Sequence, residues 1–107
     1  MRSWLLLFTC WLCALPMRGA DFDAANQLYD QGKFAEAKAG YEKLVDEGKR
    51  SANLFYNLGN ACVRLDQSGK AMLNYERALA LDPAHPEAKA DLNLLHQRLN
   101  PRVNPSH

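Results

Sequence analysis

The chain has 107 residues and a formal net charge of +1, with 48% apolar and 23% charged side chains. That length admits one domain and no second of useful size, which excludes large enzymes, multidomain machines and multi-span membrane proteins. A charge this close to zero supplies no basic footprint for nucleic acid, so none is expected as a partner.

The first twenty residues hold 14 of the apolar side chains and both tryptophans, Trp4 and Trp11. Met1-Arg2-Ser3 is a short basic head, Trp4 to Leu15 an apolar run, and Pro16 a helix breaker. A spanning helix needs ~20 apolar residues, so segment 1–20 reads as a secretory signal peptide and the protein as exported. An uncleaved N-terminal anchor is the alternative, because Arg18 is too large and charged for a standard cleavage pocket although Ala20 suits the position before the cut. Cys10 and Cys13 lie inside the apolar run and would leave with it. Cys62 is then the one thiol of the mature chain, and packing rather than a disulfide must hold the fold together.

Beyond Ala20 the β-branched residues are Val45, Val63 and Val103, with no Ile or Thr. Ala and Leu supply most of the apolar side chains and lose little rotamer freedom in a helix, so the body is expected to be all-α. A first helix is capped by Asp21 or Asp23 and runs to about Gln31, before a Gly32-Lys33 turn. A second spans about Phe34 to Glu47, with Gly48 suited to the left-handed C-terminal position. Ser51 caps a third, to about Leu65, followed by an Asp66-Gln67-Ser68-Gly69 turn. A fourth ends at Leu81 before Asp82-Pro83. Pro86 opens a fifth, which Asn100-Pro101 closes. Residues 100–107 read as a disordered polar tail.

The two helix pairs repeat. A shift of 34 residues places Ala25 on Gly59, Ala37 on Ala71, Tyr41 on Tyr75 and Glu42 on Glu76. A helix–turn–helix unit of this period cannot bury its apolar face alone and must stack. The residues resemble the tetratricopeptide repeat family. The second unit shows Leu58-Gly59, Ala71, Tyr75, Ala78 and Pro83, with Cys62 in the aromatic slot. The first shows Ala25, Leu28, Gly32, Phe34, Ala37 and Tyr41, and departs with Leu44 for Ala and Lys49 for Pro. The resemblance implies a right-handed superhelical stack of antiparallel helix pairs over residues 21–99: repeats at about 21–50 and 52–85 and a capping helix at 86–99. The stretch Asn53 to Ala61, with Gly69-Lys70-Ala71 and Tyr75 to Leu79, is similar to the repeat segment of the aerotolerance (Bat) operon proteins. That similarity implies a periplasmic or cell-envelope location and a membrane-associated complex.

The resemblance also implies that the first helix of each pair lines a concave groove for a protein or peptide partner. By position the groove residues are Asn26, Tyr29 and Asp30, then Asn53, Tyr56, Asn57, Asn60, Val63 and Arg64. The fifth helix adds Glu87, Ala90, Asp91, Leu94 and Arg98. Asparagine amides offer donors and an acceptor, which suits an extended peptide, and tyrosine adds contact area with a polar tip. The other reading of the same amides is that they only bond neighbouring helices. The positions matching the family's carboxylate clamp are Phe22, Asn26, Asn57, Glu87 and Asp91. Both asparagines are kept but the bases are not, so a free C-terminal acid is disfavoured, and the acidic fifth helix favours a basic residue near the ligand's end, with Arg98 partly offsetting the charge.

No phosphate loop, nucleophile pair or metal-ligand spacing is present, so neither cofactor nor metal is expected and the protein reads as non-enzymatic. Cys62 falls on the inward stripe and reads as an inert thiol. On the fifth helix, Leu92, Leu95 and Leu99 form an apolar stripe opposite Lys89, Asn93 and His96, as a cap requires. Two units and a cap make a short stack, so either marginal stability or a homodimer formed through the stack is expected.

Overall fold

The computed structural model describes residues 18–100, with side chains from residue 21 onward. The expected export signal up to residue 17, with Cys10 and Cys13, and the tail beyond Asn100 lie outside these residues.

Five helices follow in order: α1 (Arg18–Asp30), α2 (Phe34–Asp46), α3 (Ala52–Arg64), α4 (Ser68–Leu81) and α5 (Pro86–Leu99). Each packs on the next, and α1 also touches α3. The described residues therefore form an all-α helical repeat. None of these helices is long and apolar enough to cross a membrane.

The 34-residue period is carried by hydrogen bonds and by backbone angles. Three helices end in the same manner. Lys33 N donates to Leu28 O and Gly32 N to Tyr29 O; Lys49 N donates to Leu44 O and Gly48 N to Val45 O; Gln67 N donates to Cys62 O and Asp66 N to Val63 O. This paired bonding satisfies the last carbonyls and requires a left-handed residue just past the helix. Gly32 (φ 80°), Gly48 (φ 90°) and Asp66 (φ 61°) occupy that position. Asp66 stands one period after Gly32, so an L-residue is held there in the conformation a glycine adopts without strain.

The helix starts repeat as well. Ser51 Oγ accepts from Leu54 N at 3.0 Å, and one period later His85 Nδ1 accepts from Ala88 N at 3.1 Å. The imidazole thus caps α5, a role the sequence reading gave to Pro86 alone.

Three boundaries differ from expectation. Helix α1 already includes Arg18, so Asp21 lies in its first turn instead of capping it. Carboxylates are favourable there too, because that end of the helix carries partial positive charge. Ser68 and Gly69 belong to α4, since the αL residue Asp66 closes the turn in three residues. On α5 the core-facing residues are Ala88 and Leu95, with Leu92 half-buried, while Leu99 is exposed. Ala88 was not expected in that stripe. It lies where α5 starts against His85, and the stripe has run past the neighbouring helix by Leu99.

The core contains Ala25, Ala37, Tyr41 and Leu44 from the first pair, and Leu54, Phe55, Leu58, Ala61, Cys62, Ala71, Tyr75 and Ala78 from the second. Leu28 and Phe34 are half-buried, and Pro83 is exposed in the α4–α5 turn, where it shapes the chain without packing. Gly59 is a close-approach position. A Cβ there would lie 2.6 Å from Tyr75 Cε1, so the ring fills the space a side chain would take. Asn74 is buried opposite Cys62. Its Nδ2 bonds Lys70 O at 2.9 Å, and its Oδ1 has no partner.

Candidate functional site

Tyr41 and Tyr75 are 1% and 2% exposed and occupy register-equivalent sites. Each ring packs against an aromatic of the preceding helix: Phe22 with Tyr41 at 6.0 Å, and Tyr56 with Tyr75 at 5.6 Å. Phe22 and Tyr56 are themselves one period apart. Each hydroxyl donates to an asparagine 15 residues earlier. Tyr41 Oη reaches Asn26 Oδ1 at 2.5 Å, and Tyr75 Oη reaches Asn60 Oδ1 at 2.6 Å. Asn57 Nδ2 also donates to Asn26 Oδ1, at 3.1 Å, tying α3 to α1.

These bonds fix the amides and leave an atom available on two of them. Among the described residues, Asn26 Nδ2 and Asn57 Oδ1 make no hydrogen bond, whereas the Asn60 amide also bonds the Tyr56 hydroxyl. One donor and one acceptor are thereby left on neighbouring amides, with Asn26 fixed by the buried Tyr41. Each asparagine bonds a neighbouring helix, and Asn26 and Asn57 each keep a free polar group as well.

The amides open onto two adjoining clefts. One, of about 340 Å³, is lined by Asn26, Tyr29, Asp30, Tyr41, Asn57 and Asn60. The other, of about 180 Å³, shares Tyr29 and Asn60 and adds Val63, Arg64, Tyr75, Asp91, Leu94, Leu95 and Arg98. Helices α1, α3 and α5 thus contribute one continuous trough. Asn53 and Tyr56, placed in the groove by position, line neither cleft. Asn53 Oδ1 faces His85 Nε2 at 3.1 Å, and Tyr56 Oη donates to Asp91 Oδ2 at 2.8 Å while its ring lies 5.0 Å from that of His85. These contacts hold α5 on α3. Glu87 and Ala90 also line neither cleft. Glu87 sits at the start of α5, exposed, with its Oε1 3.6 Å from His85 Nδ1, so its charge lies beside the cap and outside both clefts.

Burial and neighbouring negative charge keep the tyrosines protonated. Desolvation pushes Tyr41 up to about 12; desolvation and the bond to Asp91 push Tyr56 up to about 12, and Tyr75 is raised further, chiefly by burial. Desolvation also raises the Cys62 thiol, which is fully buried and so disfavours a thiolate. Among the described residues no group of three or more His, Cys, Asp or Glu side chains converges as a metal site would require.

The sequence reading missed His85. The signal available was the period itself, because His85 falls 34 residues after Ser51, the cap it replaces.

Residues 52–85, which span α3, α4 and the turn to His85, match the family model described as tetratricopeptide repeat. The second helix pair is thus similar to a tetratricopeptide repeat, over about a third of the chain. Such repeats generally mediate contacts between proteins and are typically non-catalytic. A curated relative, the "Probable biofilm formation methyltransferase WspC" of Pseudomonas aeruginosa, is 37% identical over 75 residues. The match covers 70% of this chain and 18% of that protein, so the chain spans under a fifth of the relative's length.

Proposed function

We propose that the protein is a non-catalytic interaction module that binds an extended segment of a partner protein along the trough of α1, α3 and α5. The observation that carries this reading is the row of asparagines held by tyrosine hydroxyls and by one another, in which Asn26 keeps a free donor and Asn57 a free acceptor beside the first cleft. Backbone carbonyls and N–H groups of an extended peptide need both kinds of partner, and pre-fixed amides lose little entropy on meeting them. Tyr29, shared by both clefts, supplies apolar area at the centre of the trough. The similarity to WspC covers a small part of that protein, and methyl transfer is not carried over from its name.

An array of N-acetylated, C-amidated peptides probed with the whole chain tests the reading. Wild-type protein should capture a defined subset, and Tyr29→Ala with Asn57→Ala should weaken capture by about tenfold or more. Circular dichroism should show the helices retained. Equal capture by the folded variant would reject the groove.

We further propose that the module is exported to the periplasm or cell envelope, on the strength of the basic head and apolar run of residues 1–15. Cell fractionation with N-terminal sequencing of the purified protein tests this. A cytosolic chain still carrying residues 1–20 would overturn it.

A further inference from the structure

The second cleft has a chemistry distinct from the first, and it narrows the partner. Arg64 at the end of α3 lies over two rings, with Cζ 5.0 Å from the centre of Phe34 and 5.8 Å from that of Tyr29. The rings meet edge to face at 5.0 Å and form a platform. A guanidinium resting on aromatic faces stays charged and keeps its in-plane N–H donors for another acceptor. Arg98 enters the same cleft from α5. Among the described residues, no carboxylate lies within 4.0 Å of either arginine. The cleft holds one carboxylate, Asp91, which already accepts the Tyr56 hydroxyl. Two arginines and one carboxylate therefore line this cleft. Val63 and Leu94 line the same cleft, the latter 56% exposed. The adjoining cleft has the opposite sign, since Asp30 is its one charged residue. An anion is steered away from the α1 end of the trough and toward the α5 end.

We propose that the Arg64–Arg98 cleft is a subsite for a carboxylate side chain of the bound segment, with Val63 and Leu94 taking the aliphatic part of that residue or its neighbour. The proposal rests on the groove reading above. It assigns the partner an Asp or Glu at one fixed position, where the charge of α5 read along the sequence had pointed to a basic residue. Arg64 and Arg98 recognise the ligand, and the Phe34–Tyr29 platform positions Arg64.

A positional-scanning library of N-acetylated, C-amidated octapeptides, probed with the whole chain, reads this directly. One position should favour Asp or Glu over Asn or Gln by about tenfold, as expected for a charge-assisted pair. Arg64→Gln with Arg98→Gln should flatten that preference, and Arg64→Glu with Arg98→Glu should invert it toward Lys and Arg. A parallel set with free C-termini and Gln at that position separates the two carboxylate sources. A gain from the free terminus, with none from Asp or Glu, would overturn the side-chain assignment. Capture with no acidic preference at any position would overturn the subsite while leaving the groove standing. Failure of the wild-type chain to bind any peptide would overturn both.

Discussion

Each buried tyrosine joins packing to presentation: its ring fills the gap between helices and its hydroxyl aims an asparagine. Tyr41→Phe and Tyr75→Phe remove only the hydroxyl and should each lower stability by about 1 kcal/mol in urea melts, with weaker peptide capture as the freed amides turn. Gly59→Ala improves helix propensity but drives a Cβ into the Tyr75 ring, which Asn60 holds in place. Overpacking should prevail, giving a net loss of about 1 kcal/mol or more. Asn74→Ala deletes a buried acceptor that has no donor, but also the Nδ2 bond to Lys70 O and buried volume, so these effects oppose and the net change should stay within about 1 kcal/mol. The raised tyrosines also set an alkaline limit. Between about pH 10 and 12 the unfolded chain loses phenolic protons that the folded chain keeps, so stability is complete below pH 10 and falls as pH rises through that window. Urea midpoints measured at pH 8 and pH 11 should differ in that direction. The alanines and tyrosines were legible in the sequence because small and aromatic residues recur at one period. The split use of Asn26 and Asn57 was not, since a sequence shows residue type and face but not which amide atom a distant hydroxyl will reach.

At the scale of the element, helix ends decide how the units join. The glycine stop after α2 and the serine cap of α3 are local signals and could be read directly. Asp66 in the left-handed position and His85 as a cap hide the same geometry behind other residue types, and only the shift onto Gly32 and Ser51 uncovers them. His85→Ala should cost about 1 kcal/mol from the cap and also lose the contacts to Asn53 and Tyr56. Hydrogen exchange should show the α5 amides opening first in this variant, while those of α3 stay protected. A variant with α5 unaffected would mean that the turn alone holds this helix.

Across the molecule the order of helices, the period and the capping role of α5 could be argued from 3.6-residue patterns and breakers. The trough could be placed on α1, α3 and α5 only through the family resemblance, and where each charge lies along it needed the structure. Glu87 shares a helix with Asp91 but lies near the His85 end, whereas Arg98, two turns beyond Asp91, shares the Asp91 cleft. Helix α5 also differs from α3 at three equivalent positions. Phe55, Gly59 and Cys62 of α3 are buried, whereas Lys89, Asn93 and His96 of α5 are exposed. A further helix laid on that face would have to desolvate a cation, an amide and an imidazole where its counterpart meets a ring, a bare backbone and a thiol. Anyone grafting another unit onto this end should therefore begin by rewriting those three side chains, and leave the loop for later.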